Sequence, residues 1–154
     1  MILKVFEIKK KKIDSNFFLL YGNNRGLVEE IVHNELKPLL PKNILSYEEN
    51  EILKNTESFK EEILNKSFFE NEKLIIISRS SDKIYNLIEE IIEKKIKEIS
   101  IIIKCNVLDK KSKLRSYFEK KKNTICIPVY EDNFQSLSQI AQKFFKEKNI
   151  NISQ

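Results

Sequence analysis

The chain has 154 residues, of which 41% are hydrophobic and 33% are charged, and this composition is typical of one globular domain with a buried core. A net charge of +5 permits weak, salt-sensitive contact with nucleic acid, but the lysines are spread out apart from Lys9–Lys12 and Lys120–Lys122. The apolar runs are far shorter than the ~20 residues of a membrane span, and the N-terminus does not have the order of a signal peptide, so we expect no membrane contact and a cytoplasmic location.

Five strand-like segments alternate with helical segments along the chain. Each consists of consecutive apolar and β-branched residues, a pattern typical of parallel strands that are buried on both faces. The segments are Phe17–Tyr21, Ile44–Tyr47, Leu74–Ser78, Ile99–Lys104 and Thr124–Val129. Within them, the runs Leu74–Ile77 and Ile101–Ile103 are predicted to form central strands.

The first two predicted helices lie between the first three strands. An apolar stripe over Leu27–Leu36 indicates the first helix, and Pro38 is expected to end it. Ser58 and Glu61 fit a capping box that opens a short second helix, which extends through Leu64.

Three more helices are predicted in the second half of the chain. The clearest apolar stripe covers Asp82–Lys97, and Tyr117 lies in a further helix. Asp132 or Asn133 is expected to cap the last helix. The apolar residues of that helix are expected to face inward: Leu137, Ile140, Ala141, Phe144 and Phe145. The alternation predicts a three-layer α/β sandwich with a five-stranded, mainly parallel sheet and right-handed crossovers.

The stretch LLYGNNRGLVEE places a glycine-bearing turn between the first strand and the first helix, where a P-loop would lie. Counting from Gly22, Leu27 takes the second glycine position, Val28 the lysine position and Glu29 the hydroxyl position. With Gly26 as the second glycine, Leu27 and Val28 fill the last two positions. Neither frame supplies a cation, so we predict a degenerate P-loop without the chemistry of ATP hydrolysis.

Other chemical groups are few. The single histidine, His33, falls on the first helix without a nucleophile motif, which indicates a surface or half-buried residue. Asp82 and Asp109 come too late after their strands for a magnesium carboxylate and are interpreted as helix caps. Cys105 and Cys126 stand in apolar runs and are expected to be reduced, buried thiols. We therefore expect no catalytic residue, metal or cofactor.

Four segments, taken in order, match one family. The first is LLYGNNRGLVEE, similar to L-[LV]-Y-G-x-[DE]-x-x-L-[IV]-x-E, and the second is SFFENEKLIII, similar to L-F-x-x-[RK]-[RK]-L-V-V-[VI]. The third is LDKKSKLRSYFEK, and the fourth is CIPVYEDNFQSLSQIAQKFFKEKNINIS. Together they cover most of the chain from about Phe18 to Ser153. The chain resembles the N-terminal domain of the delta subunits of bacterial DNA polymerase III, of proteobacterial type, which open the sliding clamp.

The resemblance implies an AAA+-type frame over residues 1–148 that does not bind ATP, in a non-catalytic subunit of the polymerase holoenzyme. Phe68 and Phe69 match a Leu-Phe pair that plugs an apolar pocket on the sliding clamp, with Ser67 and Glu70 beside them. The alternative for both rings is packing in the core. Asn23-Asn24 and Glu72-Lys73 depart from the family pattern.

The resemblance also implies partners. These are the sliding beta clamp and the other clamp-loader subunits, gamma/tau and delta prime, which the family contacts mainly through lid and collar domains. Residues 149–154 are interpreted as the start of the lid, so we expect the chain to be a fragment. Contact with DNA is expected to be indirect or weak.

Two alternatives belong to other classes of function. In a degenerate nucleotide-binding module, Gly22 and Gly26 would still hold a phosphate through backbone amides, and stabilisation by Mg-ATP would favour it. In a basic nucleic-acid-binding domain, binding to duplex DNA would depend steeply on salt.

Overall fold

Five strands form one sheet in the computed structural model, which describes residues 1–8, 10–11, 13–64, 72–132 and 134–150. The strands are β1 (Phe17–Tyr21), β2 (Ile44–Glu48), β3 (Lys73–Ser80), β4 (Ile99–Cys105) and β5 (Thr124–Pro128). Their order is β2-β3-β4-β1-β5, and every neighbouring pair is parallel. The α/β class, the parallel sheet and the five strands are therefore confirmed.

Helices connect the strands and follow the last one. They are α1 (Arg25–Glu30), α2 (Glu49–Lys54), α3 (Thr56–Leu64), α4 (Tyr85–Glu93), α5 (Lys113–Lys120) and α6 (Phe134–Glu147). A π-helical segment, Ile31–Leu36, continues α1, and a 3-10 turn, Asp82–Ile84, leads into α4. Among the described residues, no helix is long and apolar enough to cross a membrane.

The core has two halves, one on each face of the sheet. Phe17, Leu19 and Tyr21 of β1 pack in the half that contains the buried residues of α2 to α5. Phe18 and Leu20 pack in the other half, with α1 and the N-terminal segment. Because successive side chains of a strand point to opposite faces, a strand within such a sheet is apolar at every position. This arrangement is the predicted three-layer sandwich.

The position of each strand in the sheet agrees with its composition. β3 and β4 are internal, as predicted, and their Ile75–Ile77 and Ile101–Ile103 runs are buried. The β5 edge is covered by the first residues of the chain, since the amide of Cys126 donates to the carbonyl of Met1 over 2.9 Å. Covering an edge strand in this way removes unpaired backbone groups.

Two helix boundaries differ from prediction. Ser58 does not open a helix: it lies inside α3, and its amide donates to the side-chain oxygen of Asn55 over 3.2 Å. Asn55 also separates α3 from α2, which was not predicted because its six residues are too few to show a periodic stripe. The predicted helix Asp82–Lys97 ends at Glu93, and Lys95 has a positive φ of 50°.

The prediction for the last helix is wrong in one respect. α6 forms, but Leu137, Ile140 and Phe144 are 53%, 55% and 53% exposed, and Ala141 is also exposed. Only Phe145 is half-buried. An apolar stripe indicates that a helix is amphipathic, but it does not identify the surface that covers the stripe. Here both faces of the sheet are already covered by other elements. Of the two predicted caps, Asn133 lies outside the described residues.

Candidate functional site

A crevice of about 300 Å³ opens at the carboxyl edge of the sheet, beside the ends of β1 and β4. After β1 the chain moves to the β2 side of the sheet, and after β4 it moves to the β5 side. Ligands of open parallel sheets bind where connections diverge in this way. We call this feature the switch-point crevice. Its lining includes Gly22, Arg25, Glu29, Glu48, Arg79, Lys104 and Asn106.

Gly22 is explained by backbone packing. Its φ is +146°, and a Cβ at this position would lie 1.7 Å from the carbonyl oxygen of Val129. The amide of Val129 donates to the carbonyl of Tyr21 over 2.8 Å, which holds the two segments together. A side chain at residue 22 is therefore excluded on both counts. This glycine is required by the close approach of the segment after β5, with or without a phosphate.

The amides at the start of α1 are occupied by Asn24. Its side-chain oxygen accepts from the amide of Leu27 over 3.1 Å, and its carbonyl accepts from the amide of Val28 over 3.0 Å. The amide of Arg25 donates to the carbonyl of Asn23 over 3.0 Å. In a P-loop such amides bind phosphate oxygens. Here three of them bind the turn itself.

Carboxylates lie beside this turn. The side-chain amide of Asn23 donates to Glu131 over 2.9 Å, and that of Asn24 donates to Asp132 over 2.7 Å. Both acidic residues follow β5, more than a hundred residues later in the sequence. These contacts tie the turn to the neighbouring loop and place negative charge near the position that a phosphate would need.

The other residues of the predicted degenerate P-loop have structural roles. Val28 is buried in the core, and Leu27 packs against it. Glu29 forms an ion pair with Lys104 over 2.5 Å, in which the lysine side chain is only 16% exposed. Gly26 has no close neighbour on its Cβ side, the nearest atom being 3.8 Å away, so nothing in its surroundings requires a glycine.

The two arginines of the crevice also have partners. Arg25 donates to the side-chain oxygen of Asn106 over 3.3 Å, and Arg79 pairs with Glu48 over 3.1 Å. Arg79 and Lys104 lie near the ends of β3 and β4, and Asn106 directly follows β4. Their meeting at one edge depends on the parallel arrangement, which brings the carboxyl ends of all the strands together. Each cation of this crevice thus binds a group of the protein.

Asp82 is a helix cap, but for a different helix from the one that it precedes. It accepts from the hydroxyl of Ser112 over 2.5 Å and from the amides of Lys113 and Leu114 over 3.0 and 3.2 Å. Burial alone would raise the pKa of Asp82, but these hydrogen bonds outweigh it and hold the pKa below its usual value. Ser112, rather than Asp109, is the N-cap residue of α5.

Three further groups considered in the sequence are the two cysteines and the histidine. Cys105 and Cys126 are unpaired and buried, as predicted, and burial raises the pKa of both thiols, that of Cys126 to about 12. His33 is exposed, also as predicted. Within the described part of the chain, no group of three or more His, Cys, Asp or Glu residues is placed to hold a metal ion.

The predicted clamp-contact residues Ser67, Phe68, Phe69 and Glu70 lie outside the described residues. The elements on either side of them are described. α3 ends at Leu64 and β3 begins at Lys73, at the amino edge of the sheet, which is opposite to the switch-point crevice.

Comparison of the sequence with models of protein families gives no match, and comparison with curated proteins gives none either. The resemblance to clamp-loader delta subunits rests on the four sequence segments.

Proposed function

We propose that this chain is a non-hydrolysing clamp-loader subunit of bacterial DNA polymerase III, which binds the sliding beta clamp and opens the ring for loading onto DNA. One observation carries the proposal. A strand, a glycine turn and a helix follow one another at the switch point, in the order that a P-loop has, but the groups that would hold phosphate bind other parts of the protein. The resemblance implies the same combination for this subunit, namely an AAA+-type fold that does not bind ATP.

The crevice weighs against the nucleotide-binding alternative. A triphosphate would have to displace Asn24 from the amide of Leu27 and approach the carboxylates of Glu29 and Glu131. Breaking satisfied hydrogen bonds and bringing like charges together both cost free energy. The role we assign is therefore binding, with hydrolysis left to other subunits of the complex.

The segment that carries Phe68 and Phe69 joins two well-packed elements. Phe59 of α3 is buried and makes an edge-to-face contact with Tyr47 of β2, with the ring centres 5.1 Å apart. The ammonium group of Lys73 donates to the carbonyl of Glu62 over 2.8 Å, which ties the start of β3 to the end of α3. These contacts give the proposed clamp-contact residues, Phe68 and Phe69, a rigid base.

Ring opening needs no chemistry in this subunit. A protein that binds the open clamp better than the closed clamp shifts the ring toward the open form. A preference of about 100-fold corresponds to about 2.8 kcal/mol. Two aromatic side chains buried in an apolar pocket can supply binding energy of this order.

The proposal has two corollaries. The further partners are the other clamp-loader subunits, gamma/tau and delta prime. The location is the cytoplasm, where bacterial DNA is replicated.

The test is to titrate the sliding clamp of the same organism with Phe69→Ala and Phe68→Ala and to melt each variant alone. We expect Phe69→Ala to weaken binding at least tenfold, and Phe68→Ala to weaken it less, with melting unchanged. Phe134→Ala is the matched control, because Phe134 is an aromatic residue that is 88% exposed elsewhere on the molecule. The control is expected to bind like the unmodified chain.

Failure of the unmodified chain to bind the clamp would refute the proposal. A large drop in melting temperature with binding preserved in the folded fraction would place both rings in the core and exclude them as the clamp contact. Truncating a core aromatic typically costs about 3–5 kcal/mol of stability, so the two outcomes are well separated.

A further inference from the structure

The two edges of the sheet are treated differently. The β5 edge is covered by the first residues of the chain, whereas β2, at the other edge, pairs only with β3 among the residues that the structure describes. All five residues of β2 are at least partly exposed. The strand contains neither lysine nor proline, with which proteins often block an open edge. Its outward backbone groups are therefore placed to pair with a further strand.

A groove of about 370 Å³ lies beside this edge, between β2 and the helices α2 and α3. We call it the β2 groove. Its apolar surface comes from Tyr47, Ile52 and Phe59, of which the last two are buried. Glu51 and Glu62 also line it, and none of its described lining residues is basic. The groove therefore combines aromatic and apolar surface with negative charge.

Other residues of the chain hold both glutamates in position. The carboxylate of Glu51 accepts from the amide of Glu48 over 2.7 Å, in the capping box of α2. The carboxylate of Glu62 accepts from the hydroxyl of Tyr47, and burial together with this hydrogen bond raises the pKa of Tyr47 to about 12. Because a carboxylate can accept about four hydrogen bonds, each glutamate can also accept from a cation brought by a partner.

We propose that β2 binds an extended, arginine-bearing segment of another protein, which adds to the open edge as a further strand. Side chains of a strand alternate between the two faces of a sheet. Tyr47 pairs with Ile77, whose side chain lies on the face covered by α2 to α5. Every second side chain of the added strand would lie on this same face, beside the β2 groove.

The chemistry of the groove favours arginine in that segment. The planar guanidinium group matches a carboxylate with two parallel hydrogen bonds and stacks on aromatic rings. Tyr47 is half-buried, so part of its ring is accessible beside Glu62. In strand addition of this kind, main-chain hydrogen bonds supply affinity and alternate side chains supply the preference for one sequence.

A second copy of the chain is the poorer fit for this edge. Pairing of β2 with β2 of another copy would bring Glu48 to the groove, because the strand contains no basic residue. Like charges that face each other across a pair of strands are destabilising. The segment is therefore expected to come from a different protein.

The proposal goes beyond clamp binding and does not depend on it. The β2 groove includes α3, which precedes the proposed clamp-contact residues, but Phe68 and Phe69 take no part in the strand addition. Each proposal can therefore fail without the other.

The test uses fluorescence anisotropy to measure binding of a labelled peptide of alternating arginine and valine to the full chain. The peptide has about eight residues, enough to span β2. A second peptide has glutamine in place of arginine, and a third keeps arginine but has N-methylated backbone amides, which cannot donate hydrogen bonds.

Two variants of the chain with equal loss of charge are compared. The groove variant carries Glu51→Gln and Glu62→Gln, and glutamine preserves both the capping box and the acceptor for Tyr47. The control variant carries Glu30→Gln and Glu61→Gln, two glutamates that are exposed and do not line the groove. Circular dichroism melting of both variants checks that the fold is retained.

We expect the arginine peptide to bind the unmodified chain. The glutamine peptide, the N-methylated peptide and the groove variant are each expected to lose at least about tenfold in affinity, because each removes hydrogen bonds that the complex needs. The control variant is expected to stay within about threefold of the unmodified chain, since screening limits the effect of distant charges. Amide hydrogen exchange measured by NMR should show added protection in β2 when the arginine peptide is bound.

Several results would overturn the proposal. Failure of the arginine peptide to bind would do so, and an equal loss in both variants would assign the binding to net charge. Unchanged binding of the N-methylated peptide would exclude an added strand. A dimer in light scattering that the groove variant dissociates would identify a second copy as the occupant. Clamp binding by the groove variant should equal that of the unmodified chain, and its loss would make the clamp the occupant.

Discussion

At the scale of single residues, Gly22 and Gly26 have different roles in the same turn. A Cβ on Gly22 would meet the carbonyl oxygen of Val129 at 1.7 Å, and its φ of +146° is one that other residues rarely adopt. Gly26 lies in the first turn of α1, where a Cβ would make only an ordinary van der Waals contact at 3.8 Å. The first glycine is therefore a requirement of the fold, and the second carries a cost in helix stability.

Alanine substitution of each glycine measures this difference. We expect Gly22→Ala to lower the free energy of unfolding by at least about 2 kcal/mol, because backbone must move to admit the methyl group. Gly26→Ala is expected to raise it by about 0.5–1 kcal/mol, since alanine is the better helix former. Urea denaturation of both variants gives the two values. A loss of stability at Gly26 similar to that at Gly22 would contradict this account.

At the scale of elements, α6 differs from the other helices. The apolar residues of α4 and α5 fill the core, whereas none of the α6 side chains that the structure describes belongs to the buried set of either half. Its aromatic pair, Phe144 and Phe145, contact each other with ring centres 5.9 Å apart. The stability of the sheet and its covering helices should then depend little on the apolar side chains of α6.

Serine substitution tests the independence of α6. We expect Leu137→Ser and Phe144→Ser to change the free energy of unfolding by no more than about 0.5 kcal/mol, because both residues are more than half exposed. Phe118→Ala in α5 is the matched core variant and should cost about 3–5 kcal/mol, since Phe118 is fully buried. Thermal or urea unfolding gives both values. A loss above about 2 kcal/mol at Leu137 would show that α6 packs against the core.

At the scale of the whole molecule, contacts between distant parts of the sequence hold the loops at the carboxyl edge of the sheet. Asn23 and Asn24 bind the loop after β5, and Asp82 binds the start of α5. Carboxylates elsewhere also have lowered pKa values. The pKa of Glu90 is lowered mainly by its hydrogen bond to Lys60 and further by its hydrogen bond to Lys94. Groups of this kind link the stability of the fold to pH.

The sign of this linkage follows from the direction of the shifts. A carboxyl whose pKa is lower in the folded state contributes stability above its unfolded pKa of about 4, and that stability is lost as the pH falls through the folded pKa. We therefore expect the free energy of unfolding to decrease from about pH 5 downward. Asp82→Ala should remove about 1 kcal/mol at neutral pH, as the loss of a helix cap does, and should reduce the acid dependence.

Asp109→Ala is the control for this measurement, because Asp109 lies in the same loop as Ser112 and is exposed. Urea unfolding at several pH values gives the curve for each variant. An Asp82→Ala curve parallel to that of the unmodified chain would mean that the carboxylate of Asp82 does not contribute to the acid dependence.

The sequence by itself determined the five strands and the class of fold. β1 has the predicted bounds, and the other four strands agree within a few residues, because a strand that is buried on both faces must be apolar at consecutive positions. The lack of a lysine and a hydroxyl at the P-loop positions after Gly22 was also evident, since it depends only on residue identities at a fixed spacing. These properties are local and can be inferred from a short stretch of the chain.

Only the tertiary structure decided which residues meet. Strand order places Gly22 against Val129 and Glu29 against Lys104, and no local pattern encodes such pairs. It also leaves Leu137, Ile140 and Phe144 of α6 more than half exposed. The physical reason is that hydrophobic periodicity reports whether a side chain is buried, whereas its neighbours are set by the path of the crossovers between strands.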